Sequence, residues 1–329
     1  MRIKSNAGMI KKNSYLAIRS ESNPLPSPRR KAIIKALNHW QLYLMLLPAL
    51  IYLFVFAYKP MYGIQIAFRD FKFKEGITGS DWVGLYNFSR LFKSYWFPVV
   101  VKNTLTISVL SLLIGFPFPI IFALALNEVR QEKLKSLIQT VSYAPHFIST
   151  VVICGMLLLF MNPDGGLFNV IIGLFGGEKY AMAIDPKAFK WYYVFSGIWQ
   201  SCGWSAIIYF AALAGVDKSL LEAAELDGAS RLQRIWHINL PVLIPTIVIQ
   251  LILQAGQILN VGYEKILLLQ NSLNLSSSEI ISSYVYKVGL GSYDYSFSTA
   301  ASIFNSVVNI IILITVNYVS KKVAEESLW

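Results

Sequence analysis

Ser219-Leu220-Leu221-Glu222-Ala223-Ala224-Glu225-Leu226-Asp227-Gly228, followed after nine residues by Ile238-Asn239-Leu240-Pro241, joins two long apolar runs of the chain. Ser219 with Glu222 three residues on has the spacing of a capping box, and Gly228 supplies the left-handed residue that ends a helix. Ser230 with Gln233 offers a second capping box, and Pro241 closes this connection or bends the helix beyond it. The stretch therefore reads as two short helices with a sharp turn. Ala223 and Ala224 give it a small face on which another surface can approach closely.

The apolar runs on either side, Trp191–Val216 and Ile235–Tyr263, have four companions: His39–Tyr58, Asn103–Asn127, Ser136–Pro163 and Tyr295–Ser320. None contains Asp, Glu, Lys or Arg. A hydrocarbon core about 30 Å thick takes roughly 20 apolar residues of helix. The runs lack the alternation of a membrane barrel. The fold class predicted is an all-α integral membrane protein with six transmembrane helices. Gly165–Gly177 is apolar but too short to cross, and reads as interfacial or re-entrant. Composition agrees: the 329 residues are 55% hydrophobic and only 14% charged, with mean hydropathy +0.51. Soluble domains carry about 25% charged residues, so neither a soluble enzyme nor a disordered chain fits.

The formal net charge of +11 is local. Arg2, Lys4, Lys11, Lys12, Arg19, Arg29, Arg30, Lys31 and Lys35 crowd the N-terminal stretch. Arg130, Lys133 and Lys135 follow the second run, Lys218, Arg231 and Arg234 the fourth, and Lys321 and Lys322 the last. Lysine and arginine collect on cytoplasmic loops, so both termini are expected in the cytoplasm. The organisation predicted is a basic cytoplasmic tail at 1–38, a six-span domain at 39–320 and a cytoplasmic tail at 321–329. Within the domain lie an outer loop at 59–102 and the cytoplasmic connection at 217–241. The N-terminal apolar run outlasts a signal core and lacks a small-residue cleavage site, so it reads as an uncleaved anchor. Pro24, Pro26 and Pro28 make the later half of the tail extended. Its charge suits anionic lipid headgroups, and no nucleic-acid partner is expected.

Catalytic chemistry is missing. There is no G-x-x-x-x-G-K-[ST], H-E-x-x-H or G-x-S-x-G. Cys154 and Cys202 lack C-x-x-C spacing and read as buried hydrophobes, so no metal site and no catalytic residue is expected. The run interiors hold no carboxylate and no lysine, which argues against a proton-driven pump. His146, beside Pro145, reads as a hydrogen-bonded histidine at a bend. Energy for any transport is expected from elsewhere.

Glu222-Ala223-Ala224, Gly228, Ile238, Leu240 and Pro241 at these spacings resemble the EAA loop of ABC importer permeases at every defining position. Val83-Gly84-Leu85-Tyr86-Asn87-Phe88, Asn103-Thr104-Leu105, Ala123-Leu124-Ala125-Leu126-Asn127 and Asn162-Pro163-Asp164-Gly165-Gly166 resemble the MalF/UgpA-like sugar permeases. Ser142-Tyr143-Ala144-Pro145-His146-Phe147-Ile148-Ser149 is similar to the LplB-type permeases for oligo- and polysaccharides. The resemblance runs over roughly 35 to 325. It implies a type I importer permease fold, without enzymatic activity or a cofactor of its own, in a bacterial cell membrane. Implied partners are a second homologous permease, two cytoplasmic ABC ATPases that carry ATP and Mg, an extracytoplasmic solute-binding protein and an oligosaccharide. By the same resemblance Glu222 contacts the ATPase, Ala223, Ala224 and Gly228 allow close fit, and Ile238, Leu240 and Pro241 hold the loop to the fifth span. The residues alone also allow Glu222 simply to cap its own helix.

A substrate path is suggested by polar stripes. Gln250, Gln254 and Gln257 fall at i, i+4 and i+7 on the fifth run, with Glu264 near that face. Ser302, Asn305 and Asn309 do the same on the sixth. Such amides either offer hydrogen bonds to sugar hydroxyls or bond helix to helix. Trp199, Trp204 and Tyr209 read as packing or as sugar-stacking faces, and Trp191, Tyr192 and Tyr193 as an interfacial aromatic belt. Pro117 and Pro119 are expected to bend the second span. The excess of basic over acidic residues in the first outer loop suits an acidic, uronate-bearing oligosaccharide. Import of another small solute is the alternative, and a secondary carrier or a membrane-embedded enzyme or scaffold is disfavoured.

Overall fold

The computed structural model describes residues 40–323 and 327. The basic N-terminal tail with its three prolines, His39, and most of the C-terminal tail lie outside the described residues. The chain divides into two units, at Tyr62 and Gly63. The first contains α1 (Trp40–Leu53), which runs into a π-turn at Phe54–Tyr58. No residue of α1 is buried. A helix apolar all round suits lipid rather than water.

In the second unit two short antiparallel strands, β1 (Arg69–Asp70) and β2 (Asp81–Trp82), pair Arg69 with Trp82. They lead into α2 (Tyr86–Lys93), an amphipathic helix in the outer loop. Its Leu91 packs with Phe297 and Ala301, and Arg90 pairs with Asp294 at 2.8 Å. The second apolar run forms α3 (Trp96–Leu110), a π-turn at Ser111–Gly115 and α4 (Pro117–Asn127). Pro117 sits where α4 restarts after the π-turn, so its missing N–H costs nothing there. The helix starts earlier than Asn103, at Trp96, and so takes in Lys102.

The third run is not a straight span. α5 (Glu132–Tyr143) ends in a 3-10 turn at Ala144–Phe147, and α6 (Thr150–Phe160) departs at 99°. Pro145 is buried in that turn. Ser149, in extended conformation, caps the new helix by accepting from the Val152 N–H. The short apolar segment becomes α7 (Leu167–Leu174), with Leu167, Val170, Ile171 and Leu174 exposed.

α8 (Pro186–Leu213) is the pillar of this unit, capped by Asp185, whose carboxylate accepts from the Lys187 N–H at 2.8 Å. Its Phe189 and Tyr192 join Ile107, Cys154, Met161, Ile266, Leu269 and Ile280 in one core cluster. Its Ala206, Tyr209 and Leu213 join Ala123 and Leu243 in another. At Gly203 the Ser142 carbonyl approaches so closely that a Cβ would lie 2.2 Å from its oxygen. The chain then turns by 80° into α9 (Lys218–Leu226). Arg231–Arg234, a π-turn at Ile235–Asn239 and α10 (Leu240–Ala255) form the fifth run. α11 (Tyr263–Leu269), α12 (Ile281–Tyr286) and α13 (Tyr295–Val323) complete the unit.

Four helical runs are long and apolar enough to cross a membrane: Trp40–Phe68, Trp96–Asn127, Arg231–Ala255 and Tyr295–Val323. The count reaches 6 only if the two bent pairs, α5 with α6 and α8 with α9, are each one span. α8 alone falls short because Ser196, Gln200, Ser201 and Ser205 replace aliphatic residues along it.

Candidate coupling surface and substrate path

α9 is capped not by Ser219 but by Asp217, whose carboxylate accepts from the Ser219 N–H at 2.9 Å. That bond holds the Asp217 carboxyl below its ordinary range. An aspartate two residues nearer the preceding helix outcompetes the Ser219–Glu222 box. This leaves Glu222 exposed and free of a capping role. The far end closes as the sequence predicts. Gly228 has φ +80°, and the Ala229 N–H donates back to the Ala224 carbonyl at 2.9 Å. Ser230 and Gln233 form their reciprocal box, with the Ser230 N–H 2.7 Å from the Gln233 amide oxygen.

The loop is tied down by charge. Arg234 lies 3.2 Å from Glu225 and 3.6 Å from Glu128 at the end of α4, and Arg130 meets Glu225 at 3.2 Å. The Asn239 amide donates to Glu128 at 3.3 Å. Ala223 is exposed and Ala224 half-buried, while Ile238 and Leu240 are half-buried and Pro241 exposed at the start of α10. Around the knob Leu220, Leu226, Leu232 and Trp236 expose apolar side chains, Leu226 to 90%. Together they form an exposed apolar patch framed by charges, the feature that marks interaction sites on proteins.

Higher along α8 three hollows meet at Gln254. One, of about 440 Å³, is lined by Ser108, Ser111, Tyr193, Gln257 and Asn260 among others. A second, about 540 Å³, takes in Trp204, Ser205, Tyr209 and Gln250. The third, about 360 Å³, is lined by Ser111, Gln200, Ser201, Ser205 and Lys265. The buried hydroxyl of Ser108 has no hydrogen-bond partner among the described residues, an unmet hydrogen bond at the wall of the first hollow. Among the described residues no cluster of His, Cys, Asp or Glu could hold a metal ion.

A family described as "Binding-protein-dependent transport system inner membrane component" matches residues 115–325. The chain belongs to this family. The permease is 44% identical over 301 residues, 92% of its length and 94% of the relative's, to the polygalacturonan/rhamnogalacturonan transport system permease protein YteP of Bacillus subtilis. It is 42% identical over 288 residues, 88% and 91% of the two chains, to protein LplB of the same organism. Among solved structures it resembles, at TM-score 0.82 and 38% identity, a chain of a bacterial ABC transporter involved in import of the acidic polysaccharide alginate. The likeness covers 89% of the permease and 99% of that chain. The alginate transporter in complex with an alginate pentasaccharide-bound periplasmic protein matches with TM-score 0.82 as well. The permease is thus an integral membrane transporter subunit of mostly helical fold, not a catalytic enzyme.

The structure brings Gln250, Gln254 and Gln257 to the hollows, but Gln257 lies beyond the end of α10, in the turn after Ala255. Asn305 and Asn309 stand behind the wall: both donate to the Asn260 side-chain oxygen, at 3.0 and 3.1 Å, and Asn309 accepts from the Leu259 N–H at 3.1 Å. Ser302 donates to the Ser298 carbonyl on its own helix. Trp204 stacks on His146, centroids 4.4 Å apart and planes 2° apart, so ring stacking places that histidine. Tyr209 is buried, and Trp199 borders apolar hollows only. Tyr192 belongs to the core and Tyr193 lines the polar hollows.

Sequence reasoning missed Lys265. It falls just outside the apolar runs, yet α11 folds back so that its ammonium reaches α8. The signal was a lone lysine among Tyr263–Leu269, where burial of Ile266 and Leu269 carries Lys265 inward with them.

Proposed function

We propose that this permease imports oligosaccharides as one subunit of an ATP-driven, binding-protein-dependent importer. The carrying observation is the α9 knob, capped at both ends, tied by Arg234 to the end of α4, and left with Glu222, Leu220 and Leu226 exposed. A unit so rigid and so little buried in its own chain suits a partner that pushes on it. In this reading the chain crosses the membrane six times, with α5 and α6 together counted as one span and α8 alone as another. The tails at 1–38 and 321–329 and the connection at 217–241 face the cytoplasm, and the loop at 59–102 faces outward. Two ATPase subunits bind and hydrolyse ATP with Mg. Glu222 contacts them, Ala223, Ala224 and Gly228 permit close fit, and Ile238, Leu240 and Pro241 pass the motion to α10. A second permease completes the path, and an extracytoplasmic protein delivers the sugar. Gln250, Gln254 and Gln257 meet its hydroxyls, while Asn305 and Asn309 hold the Asn260 turn in place. The relatives named for pectic polysaccharides and the alginate importer support an oligosaccharide cargo.

The test combines purification and labelling. A tagged chain should bring a second permease and an ATPase from detergent extracts, and vesicles holding the complex should take up labelled oligosaccharide only with ATP. A Leu226→Cys variant should react with an impermeant maleimide from the cytoplasmic side alone. Labelling from outside, or uptake driven by an ion gradient without any ATPase, would overturn the reading.

A further inference from the structure

Two lysines of this permease meet buried polar groups, and their surroundings are built differently. Lys287 lies 2.5 Å from the buried carboxylate of Glu279, and Gln270 joins them. Ser283 donates to the same carboxylate at 2.7 Å. The buried charge here, the Glu279 carboxylate, is paired and hydrogen-bonded, as a buried charge must be.

Lys265 is only 8% exposed and forms no ion pair among the described residues. Its ammonium donates to the Tyr193 carbonyl at 3.1 Å and sits 4.8 Å from the Tyr193 ring centre. Gly197 leaves the space beside it open, since a Cβ there would lie 3.6 Å from the nitrogen. An ammonium has three protons to donate, and one is placed. Apart from the Cys154 thiol, its open side borders the hollow lined by Ser111, Gln200, Ser201, Ser205 and Gln254. Those groups offer hydrogen bonds but no negative charge.

We propose that Lys265 is the specificity-determining residue of this path, its ammonium taking the carboxylate of a uronate-bearing sugar while the surrounding amides and hydroxyls take the ring hydroxyls. The inference rests on the oligosaccharide reading above and narrows it to acidic cargo. A buried cation without a counter-ion is costly, and an incoming carboxylate removes that cost by forming a charge-assisted bond in a medium of low dielectric. A neutral sugar of the same shape satisfies the amides but leaves the charge unmet. Discrimination follows from what the wrong ligand fails to pair.

The test uses the purified full importer without its binding protein, and measures equilibrium binding of trigalacturonate and of its neutral methyl ester. The wild type should prefer the acid by about ten- to a hundredfold, the worth of one hydrogen bond to a charged group. Lys265→Met should lose that preference by weakening acid binding alone, and Lys265→Arg should keep it. A preference that survives in Lys265→Met, a wild type without preference, or equal weakening of both ligands would overturn the assignment. Binding of neither ligand overturns it too. The broader function fails only if ATP-driven uptake is absent as well, which the vesicle assay reads separately.

Discussion

The guanidinium of Arg234 lies 3.2 Å from the carboxylate of Glu225, and its other terminal nitrogen reaches Glu128, just past the end of α4, at 3.6 Å. One side chain thus clamps the knob to a helix from an earlier part of the chain. The two acids are not equivalent, because Glu128 is 18% exposed and Glu225 59%. Glu225→Gln removes the pairs with Arg234 and Arg130 at an exposed carboxylate and should cost only about 0–1 kcal/mol. Arg234→Met leaves the half-buried Glu128 without its cation, held by the Asn239 amide, and should cost about 1–3 kcal/mol. Thermal unfolding of the detergent-solubilised permease separates the two. Both variants should lower sugar uptake per ATP hydrolysed, because either cut loosens the knob from α4.

Gly228 and Glu222 address docking rather than stability. Gly228 adopts φ +80°, where an L residue costs about 1–2 kcal/mol. No atom lies within 4 Å of where a Cβ would stand, so the effect of Gly228→Val is confined to the turn. Glu222→Lys alters an exposed side chain that caps nothing. Each variant should insert in the membrane at wild-type levels, fail to retain the ATPase on purification and lose ATP-driven uptake. Full uptake in both would remove the knob from the coupling mechanism.

Much of this site is legible in the sequence, and what escaped did so for identifiable reasons. The Ser230–Gln233 box and the Gly228 turn are local, closed by atoms within a few residues, and the sequence motif is the structure. The cap of α9 is local too, but Asp217 and Ser219 compete for the same N-terminus, and spacing alone favours the wrong one. Long apolar runs announce helices without announcing bends. Ser136–Pro163 breaks by 99° because Pro145 and the extended Ser149 end one helix and begin another. For Lys265 the sequence hints only at an inward face shared with Ile266 and Leu269: it is the return of α11 onto α8 that puts a charged residue from a connecting segment beside Tyr193.

Gly203 tests how closely α8 is packed against α5. With the Ser142 carbonyl oxygen only 2.2 Å from the position of a Cβ, Gly203→Ala requires backbone movement. The cost should be about 1–3 kcal/mol, seen as a lower unfolding midpoint and reduced yield. Gly155→Ala is the control, since nothing lies within 4 Å of its Cβ position.

Gln254 and Asn309 separate a path residue from a supporting one. Gln254 is exposed at the meeting point of three hollows, so Gln254→Leu should leave the unfolding midpoint in place and raise the half-saturating sugar concentration. Asn309 is buried and bridges the Leu259 N–H to the Asn260 side chain. Asn309→Leu leaves a buried donor without its acceptor, at about 1–3 kcal/mol, and should lower the midpoint first. The reverse pattern would exchange their roles.

Lys265 makes a prediction in pH. Burial lowers its pKa from the ordinary 10.5 to about 8. α11 lies outside the candidate spans. The groups around the ammonium are the Cys154 thiol from α6, Tyr193 and Cys202 from α8, and the exposed Glu264 on its own helix. The charged form dominates below about 8 and is lost above it, while a uronate stays ionised throughout. The preference for trigalacturonate over its ester should therefore hold at neutral pH and decline as pH rises past about 8. Stability of the empty protein moves the other way. Between about 8 and 10.5 the unfolded chain binds more protons at this position than the folded one, so stability rises with pH across that window. In Lys265→Met both trends should vanish together, and persistence of either one would assign it to another group.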